Sequence, residues 1–139
     1  MIRKELVVAV FAGVALALPY VLYARRARHR RRVFAAGLVI AAGVYVAFAA
    51  FAGTVEGVLV ESGGVLLFAI PAFLGVRRST LFLALGWAAH VGWDLLLHPL
   101  GTPSYAPWWY PAVCLGFDLV VAAAILRSNT LDRQDPSSA

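Results

Sequence analysis

The sequence predicts an all-α fold, an integral membrane bundle of five transmembrane helices with its N-terminus outside and its C-terminus in the cytoplasm. Of its 139 residues, 62% are hydrophobic and only 14% are charged. Soluble globular proteins are about half apolar and a quarter charged, so this chain has too little polar surface for a water-soluble fold. Its apolar residues also form five runs of about 20 residues, the length that crosses a hydrocarbon core of about 30 Å.

The first run, residues 6–24, follows Arg3 and Lys4 as the apolar part of a signal peptide would. It is long, however, and no small-residue cleavage site followed by polar sequence is seen, so we expect a retained helix. The remaining predicted spans are residues 33–52, 57–76, 80–98 and 108–126.

The third run is the least regular, because Glu61, Pro71 and several glycines lie within it. The sequence leaves open whether this helix spans in full or is broken. Residues 1–126 are predicted to form one helical domain, and residues 127–139 a short flexible cytoplasmic tail.

Basic residues settle the number of crossings. Half of the twelve lie in the short segment from Arg25 to Arg32. Five crossings would place ten basic residues in the cytoplasm and two outside, whereas a third run that returned to its own side would leave six on each side. The positive-inside rule favours five. The net charge of +5 is therefore a feature of topology, and we expect Arg25 to Arg32 to contact anionic lipid head groups and not nucleic acid.

Ionisable residues within the apolar runs are costly and must face one another or water. They are Glu61, His90, Asp94 and Asp118, with Glu56 and His98 at the outer helix ends. A rise of about 1.5 Å per residue places His90 and Asp118 at one depth near the midplane. Asp94 and Glu61 are predicted to share the next level, and His98 and Glu56 the outer rim.

Helical spacing predicts the direction of these side chains. His90, Asp94 and His98 are four residues apart and share one stripe of the fourth helix, and Tyr110, Cys114 and Asp118 share one stripe of the fifth. We therefore expect the third, fourth and fifth helices to surround a polar cleft that opens to the extracytoplasmic side.

Three interpretations of this cleft follow. The first is a site for a divalent metal such as zinc, or for a small ligand, with His90, Asp94, His98 and Asp118 as ligands. Asp118 or Glu61 would then be the general base of a metal-dependent intramembrane hydrolase. The second is structural pairing in a membrane scaffold, with His90 bonded to Asp118 and Asp94 to a tryptophan indole or the backbone. The third is proton-coupled transport, for which a homo-oligomer would have to complete a path through the apolar inner half.

Residues 86–122 resemble an uncharacterised family of small bacterial membrane proteins, a domain of unknown function. The resemblance is carried by His90-Val-Gly-Trp93-Asp94-Leu-Leu-Leu-His98-Pro99, by Trp109-Tyr110-Pro111 and by Gly116-Phe117-Asp118. It implies a multi-pass protein of a prokaryotic plasma membrane and implies no activity. Intramembrane zinc amidases of the alkaline ceramidase type also hold histidines, an aspartate and a serine within helices. They have seven helices and a third intramembrane histidine, so their activity is not transferred to this chain.

Overall fold

The computed structural model describes residues 4–102 and 104–134, and within them the chain forms five α-helices and no strand. All five helices are long and apolar enough to cross a membrane, which confirms the predicted all-α class and the number of candidate spans. The helices are α1 (Lys4–Arg26), α2 (Arg30–Phe51), α3 (Val55–Arg77), α4 (Thr80–Leu97) and α5 (Tyr110–Gln134).

The third helix is continuous from Val55 to Arg77, with Pro71 inside it. Pro71 packs against Gly86 of α4, where a Cβ atom would lie 3.1 Å from the proline ring. The missing side chain of Gly86 thus gives the proline the room that it needs between the two helices. The sequence left open whether this helix is continuous or broken, and in the structure it is continuous.

The fifth helix extends beyond its predicted end at residue 126. It continues to Gln134, so the described part of the predicted flexible tail is helical, while residues 135–139 lie outside the described residues. Two side-chain contacts support this extra length. The Ser128 hydroxyl donates to the Ala124 carbonyl at 3.0 Å, and the Thr80 hydroxyl donates to Asn129 Oδ1 at 3.1 Å.

Packing places the helices in a ring with the order α1, α5, α4, α3, α2. The fourth helix also reaches across the ring to α2, whereas α1 and α2 contact each other only slightly although they are consecutive in sequence. Helix α4 is consequently the central element. Its buried face carries the ionisable stripe that the sequence placed there.

Two glycines allow α1 and α5 to approach backbone to backbone. A Cβ atom on Gly13 would collide with the Val113 carbonyl oxygen, and one on Gly116 would collide with the Val10 carbonyl oxygen. Such close approach at small residues is typical of helix pairs in membranes, where dispersion and not the hydrophobic effect drives association.

The outer surface of the bundle is apolar. Large hydrophobic side chains point away from the protein on every helix, for example Phe11, Phe51 and Leu66, which are 68%, 91% and 71% exposed. A soluble monomer rarely exposes contiguous apolar surface on this scale. The fold is that of a multi-pass membrane protein, with lipid as the solvent of its exterior.

Candidate metal centre

The buried polar site begins with a pair between α4 and α5. His90 Nδ1 lies 2.8 Å from Asp118 Oδ2, and both side chains are fully enclosed. When Asp118 is ionised it can only accept a hydrogen bond, and Nδ1 of His90 is then the donor. The predicted common depth of these two residues is confirmed.

Asp94 lies one helical turn beyond His90 on the same face of α4. Its Oδ1 atom is 3.7 Å from His90 Nε2, too far for a hydrogen bond. Both carboxylate oxygens of Asp94 and the Nε2 atom of His90 have no hydrogen-bond partner among the described residues. The Tyr45 hydroxyl beside Asp94 is a fourth buried polar atom without a hydrogen bond of strict geometry, and it is a donor of the protein near the Asp94 carboxylate. Buried polar atoms left unsatisfied cost free energy.

One ligand atom from each of His90, Asp94 and Asp118 lies within 4.8 Å of the others. Two ligands of one tetrahedral zinc ion, each bonded at about 2.0–2.1 Å, are roughly 3.4 Å apart. The 3.7 Å between His90 Nε2 and Asp94 Oδ1 is close to this separation. The arrangement is therefore chemically able to hold a divalent cation through one nitrogen and one or more oxygens.

Asp118 is placed to orient His90. A histidine that ligates a metal usually donates its other ring N–H to a carboxylate, which fixes the tautomer and the ring orientation. Asp118 has the position for this relationship to His90 Nδ1, and Nε2 of the same ring faces Asp94.

A second polar cluster lies around Glu61 of α3. His98 Nε2 is 2.8 Å from Glu61 Oε1, the Tyr105 hydroxyl donates to the same oxygen at 2.5 Å, and the Trp93 indole donates to Oε2 at 3.1 Å. Ser104 Oγ lies 3.1 Å from the remaining ring nitrogen of His98. Every polar atom of the Glu61 and His98 side chains has a partner, so this cluster is saturated.

His98 therefore lies apart from the group formed by the other three predicted ligands. The sequence also predicted Glu61 beside Asp94 and His98 beside Glu56. Instead Glu61 pairs with His98, and Glu56 is exposed. The reason is that α4 ends at Leu97, so the backbone of His98 leaves the helical path and no longer follows the stripe.

Tyr105 belongs to the connection between α4 and α5, outside the spans. Burial, and secondly its hydrogen bond to Glu61, raise the pKa of the Tyr105 hydroxyl above its ordinary value. The group therefore stays protonated at physiological pH and remains a donor to Glu61.

Tyr45 of α2 is the part of the site that sequence reasoning missed. It is fully buried, and its ring stacks on His98 with centroids 4.5 Å apart. Its hydroxyl makes no hydrogen bond of strict geometry among the described residues, but it lies beside Asp94 and Cys114 and is available as a donor to Asp94. The available signal was a tyrosine within an otherwise apolar predicted helix. The sequence predicted that α3, α4 and α5 line the site. In the structure α2 lines it as well, through Tyr45.

The expected open cleft is closed in the structure. Five ionisable side chains, Glu61, His90, Asp94, His98 and Asp118, are each at most 1% exposed. At the end of the bundle that bears the α4–α5 connection, Ser104 and Tyr105 cover His98 and Glu61 through the hydrogen bonds described above. The prediction of a site open to one aqueous side is thus corrected to an enclosed site.

On the arginine-rich side of His90 the core is apolar. Leu83, Trp87 and Val121 are buried there, and the Trp87 indole donates to the Phe34 carbonyl at 3.2 Å. Among the described residues, the buried carboxylate and imidazole side chains are the five named above. The tryptophan indole that the sequence assigned to Asp94 belongs to Trp93 and binds Glu61 instead.

Comparison with known proteins gives one match. No curated protein and no solved structure is significantly similar to the chain. The resemblance that residues 86–122 show to a family of unknown function is confirmed and extends over nearly the whole chain. The sequence profile of the family of unknown function DUF6010 matches residues 4–130, and this protein therefore belongs to that family.

Proposed function

We propose that this protein binds a divalent metal ion of the zinc class inside the membrane, through His90 Nε2 and the carboxylate of Asp94, with Asp118 orienting His90. The observation that carries this proposal is the convergence of His90 Nε2 and both Asp94 oxygens, buried and without hydrogen-bond partners among the described residues. Imidazole nitrogen with carboxylate oxygen is a donor set that zinc accepts.

Charge supports the same conclusion. With the His90 proton on Nδ1, the Nε2 lone pair faces the Asp94 carboxylate across 3.7 Å, and two negative ends are directed at each other. If Asp94 and Asp118 are both ionised beside a neutral imidazole, the site carries a net charge of −2 in a region of low dielectric constant, which is unfavourable unless protons or a cation bind there. A divalent cation would neutralise this charge.

The reaction class that fits such a site is hydrolysis, in which a bound metal polarises a water molecule. Of the two predicted general bases, Glu61 already accepts hydrogen bonds from three side chains, which lowers its capacity to take a proton. Asp118 is engaged by His90 through Oδ2. The second oxygen of Asp94, which has no partner among the described residues, is better placed to accept a proton from a bound water.

Structural pairing is the second candidate function, because the two His–carboxylate contacts of 2.8 Å each join different helices. In that case His90 would be an imidazolium, with its Nδ1–H directed at Asp118 and its Nε2–H at Asp94. No metal would then be needed. Proton-coupled transport has less support, since an apolar layer with Leu83 and Val121 lies on the arginine-rich side of the site.

Elemental analysis of the purified protein in detergent tests the proposal. Wild type should carry about one divalent metal per chain, His90→Gln should lose it, and His98→Gln should keep it. His98 is the matched control, because it is an equally buried histidine paired with a carboxylate in the saturated cluster. A folded wild type that stays metal-free after zinc loading would favour structural pairing.

We also propose the topology in which the α1–α2 connection is cytoplasmic and the N-terminus is outside, in a prokaryotic plasma membrane. Its support is the positive-inside rule applied to Arg25 to Arg32. Reporter fusions at each end test it, and both termini on one face of the membrane would contradict it.

A further inference from the structure

A cavity of about 360 Å³ lies between α1, α2 and α5 and extends to the buried site. Its lining is almost entirely apolar, with Leu16 and Ile40 near the exterior and Trp87, Cys114 and Asp118 at its inner end. Leu16 and Ile40 are 58% and 66% exposed, while Trp87 and Asp118 are each 1% exposed. The cavity therefore leads from the lipid-facing surface to Asp118, a buried residue of the proposed metal centre.

The packing of the bundle explains why this cavity exists. Helices α1 and α2 contact each other only slightly, because α1 packs mainly on α5 and α2 mainly on α3. The lining on α2 includes the small residues Gly37 and Ala41, and the Tyr20 side chain of α1 packs against Gly37. Along α2 the lining runs from Gly37 to Val44, a length of about 10 Å at the helical rise, parallel to the lipid chains outside.

We infer that this cavity admits the alkyl chain of a membrane amphiphile whose hydroxyl or amide head group meets Asp118, so that the ligand of the site comes sideways from the bilayer. The inference deepens the proposed function, on which it rests for the identity of the site. An apolar, elongated cavity selects a hydrocarbon chain. A carboxylate at its inner end accepts a hydrogen bond, so the head group must bring a donor.

Enclosure of the site supports this route over an aqueous one. At the end of the bundle with the α4–α5 connection, Tyr105 and Ser104 hydrogen-bond over Glu61 and His98. On the other side lies the apolar layer that includes Leu83 and Val121. A hydrocarbon chain that enters between α1 and α2 meets a mainly apolar lining, which also includes Tyr20 and Tyr110, until it reaches Cys114 and Asp118.

Tryptophan fluorescence tests this route, because Trp87 lines the cavity and is shielded from bulk lipid. The protein carrying Trp93→Phe, Trp108→Phe and Trp109→Phe retains Trp87 as its single tryptophan. In detergent micelles, a fatty alcohol brominated on its chain should quench Trp87, since bromine quenches only at near contact. Absence of quenching in the folded protein would overturn the inference.

Two substitutions of alanine by phenylalanine on α2 show where the probe binds. Ala41 lines the cavity and Ala47 is an exposed residue outside it. Ala41→Phe should abolish most of the quenching, and Ala47→Phe should leave it unchanged. Should the triple tryptophan variant not fold, the pair Trp108→Phe and Trp109→Phe is used, and any quenching of Trp93, which lines a separate groove on α3 and α4, is then a background common to the Ala41→Phe and Ala47→Phe proteins. Equal quenching in the Ala41→Phe and Ala47→Phe proteins would overturn the inference.

The head-group contact has its own readout. The methyl ether of the brominated alcohol has no donor and should need a concentration about tenfold higher for half-maximal quenching, the loss expected for one hydrogen bond to a charged group. Equal potency would overturn the contact with Asp118. All measurements are made on metal-free protein, with metal binding assayed separately on the same samples. Loss of metal binding with quenching intact would therefore count against the proposed function alone.

Discussion

His90 Nδ1 lies 2.8 Å from Asp118 Oδ2, and this contact fixes which ring nitrogen of His90 faces Asp94. The two residues are on different helices and 28 positions apart in the chain. Their pairing orients the imidazole, because with Nδ1 at Asp118 the Nε2 atom faces the Asp94 carboxylate. The consequences can be tested by substitution.

Asp118→Asn should weaken zinc binding without abolishing it. The amide preserves the shape of the side chain but removes the charge that orients His90, and loss of such a partner typically costs about 10-fold to 100-fold in metal affinity. Competition with a chromophoric chelator measures the change. Asp94→Asn is the comparison, and it should bind zinc more weakly than Asp118→Asn because it alters a direct ligand. The reverse order would contradict the assigned roles.

Glu61→Leu should destabilise the protein strongly and leave its metal content unchanged. Removal of the carboxylate leaves His98, Tyr105 and Trp93 without their shared acceptor, and breaking a buried pair costs about 3–5 kcal/mol. Thermal unfolding in detergent reports the loss, and elemental analysis of the folded fraction reports the metal. Loss of metal in a folded Glu61→Leu protein would show that metal binding at His90 also depends on the Glu61 cluster.

Gly13→Ala should disrupt the packing of α1 on α5. The added methyl group would meet the Val113 carbonyl oxygen, which belongs to backbone and has no rotamer with which to move away. Gly43→Ala is the matched control, because a Cβ atom at that helical glycine meets nothing within 4 Å. Alanine there should be neutral or stabilise by about 0.5–1 kcal/mol, since glycine is the poorer helix former. Equal melting temperatures of the two variants would refute the close approach.

Arg32 and Arg77 should hold an anionic phospholipid at the arginine-rich end of the bundle. A groove of about 830 Å³ between α2 and α3 is lined by apolar residues that include Ala36 and Val39, and by Arg32 and Arg77. Arg32→Gln with Arg77→Gln should reduce retention of phosphatidylglycerol through purification, measured by native mass spectrometry, and leave phosphatidylcholine unaffected. Arg26→Gln is the control for charge alone, and an equal loss in that variant would exclude a specific site.

Much of the fold could be predicted because hydrocarbon imposes a length on each helix. The five apolar runs correspond to five helices, and the equal depth of His90 and Asp118 followed from the rise per residue. The extension of α5 to Gln134 could not be predicted from hydropathy, since Thr80 of a different helix supports it through Asn129.

The sequence by itself determined that the ionisable side chains face inward, because periodicity and the cost of burying charge in lipid act on each helix separately. Only the tertiary structure decided which of them meet. The departure of His98 from the helical path, the participation of α2 through Tyr45 and the pairing of Glu61 depend on how the helices are rotated and ordered in the ring. Rotation and order are set by close contacts such as those of Gly13 and Gly116, which no single helix specifies alone.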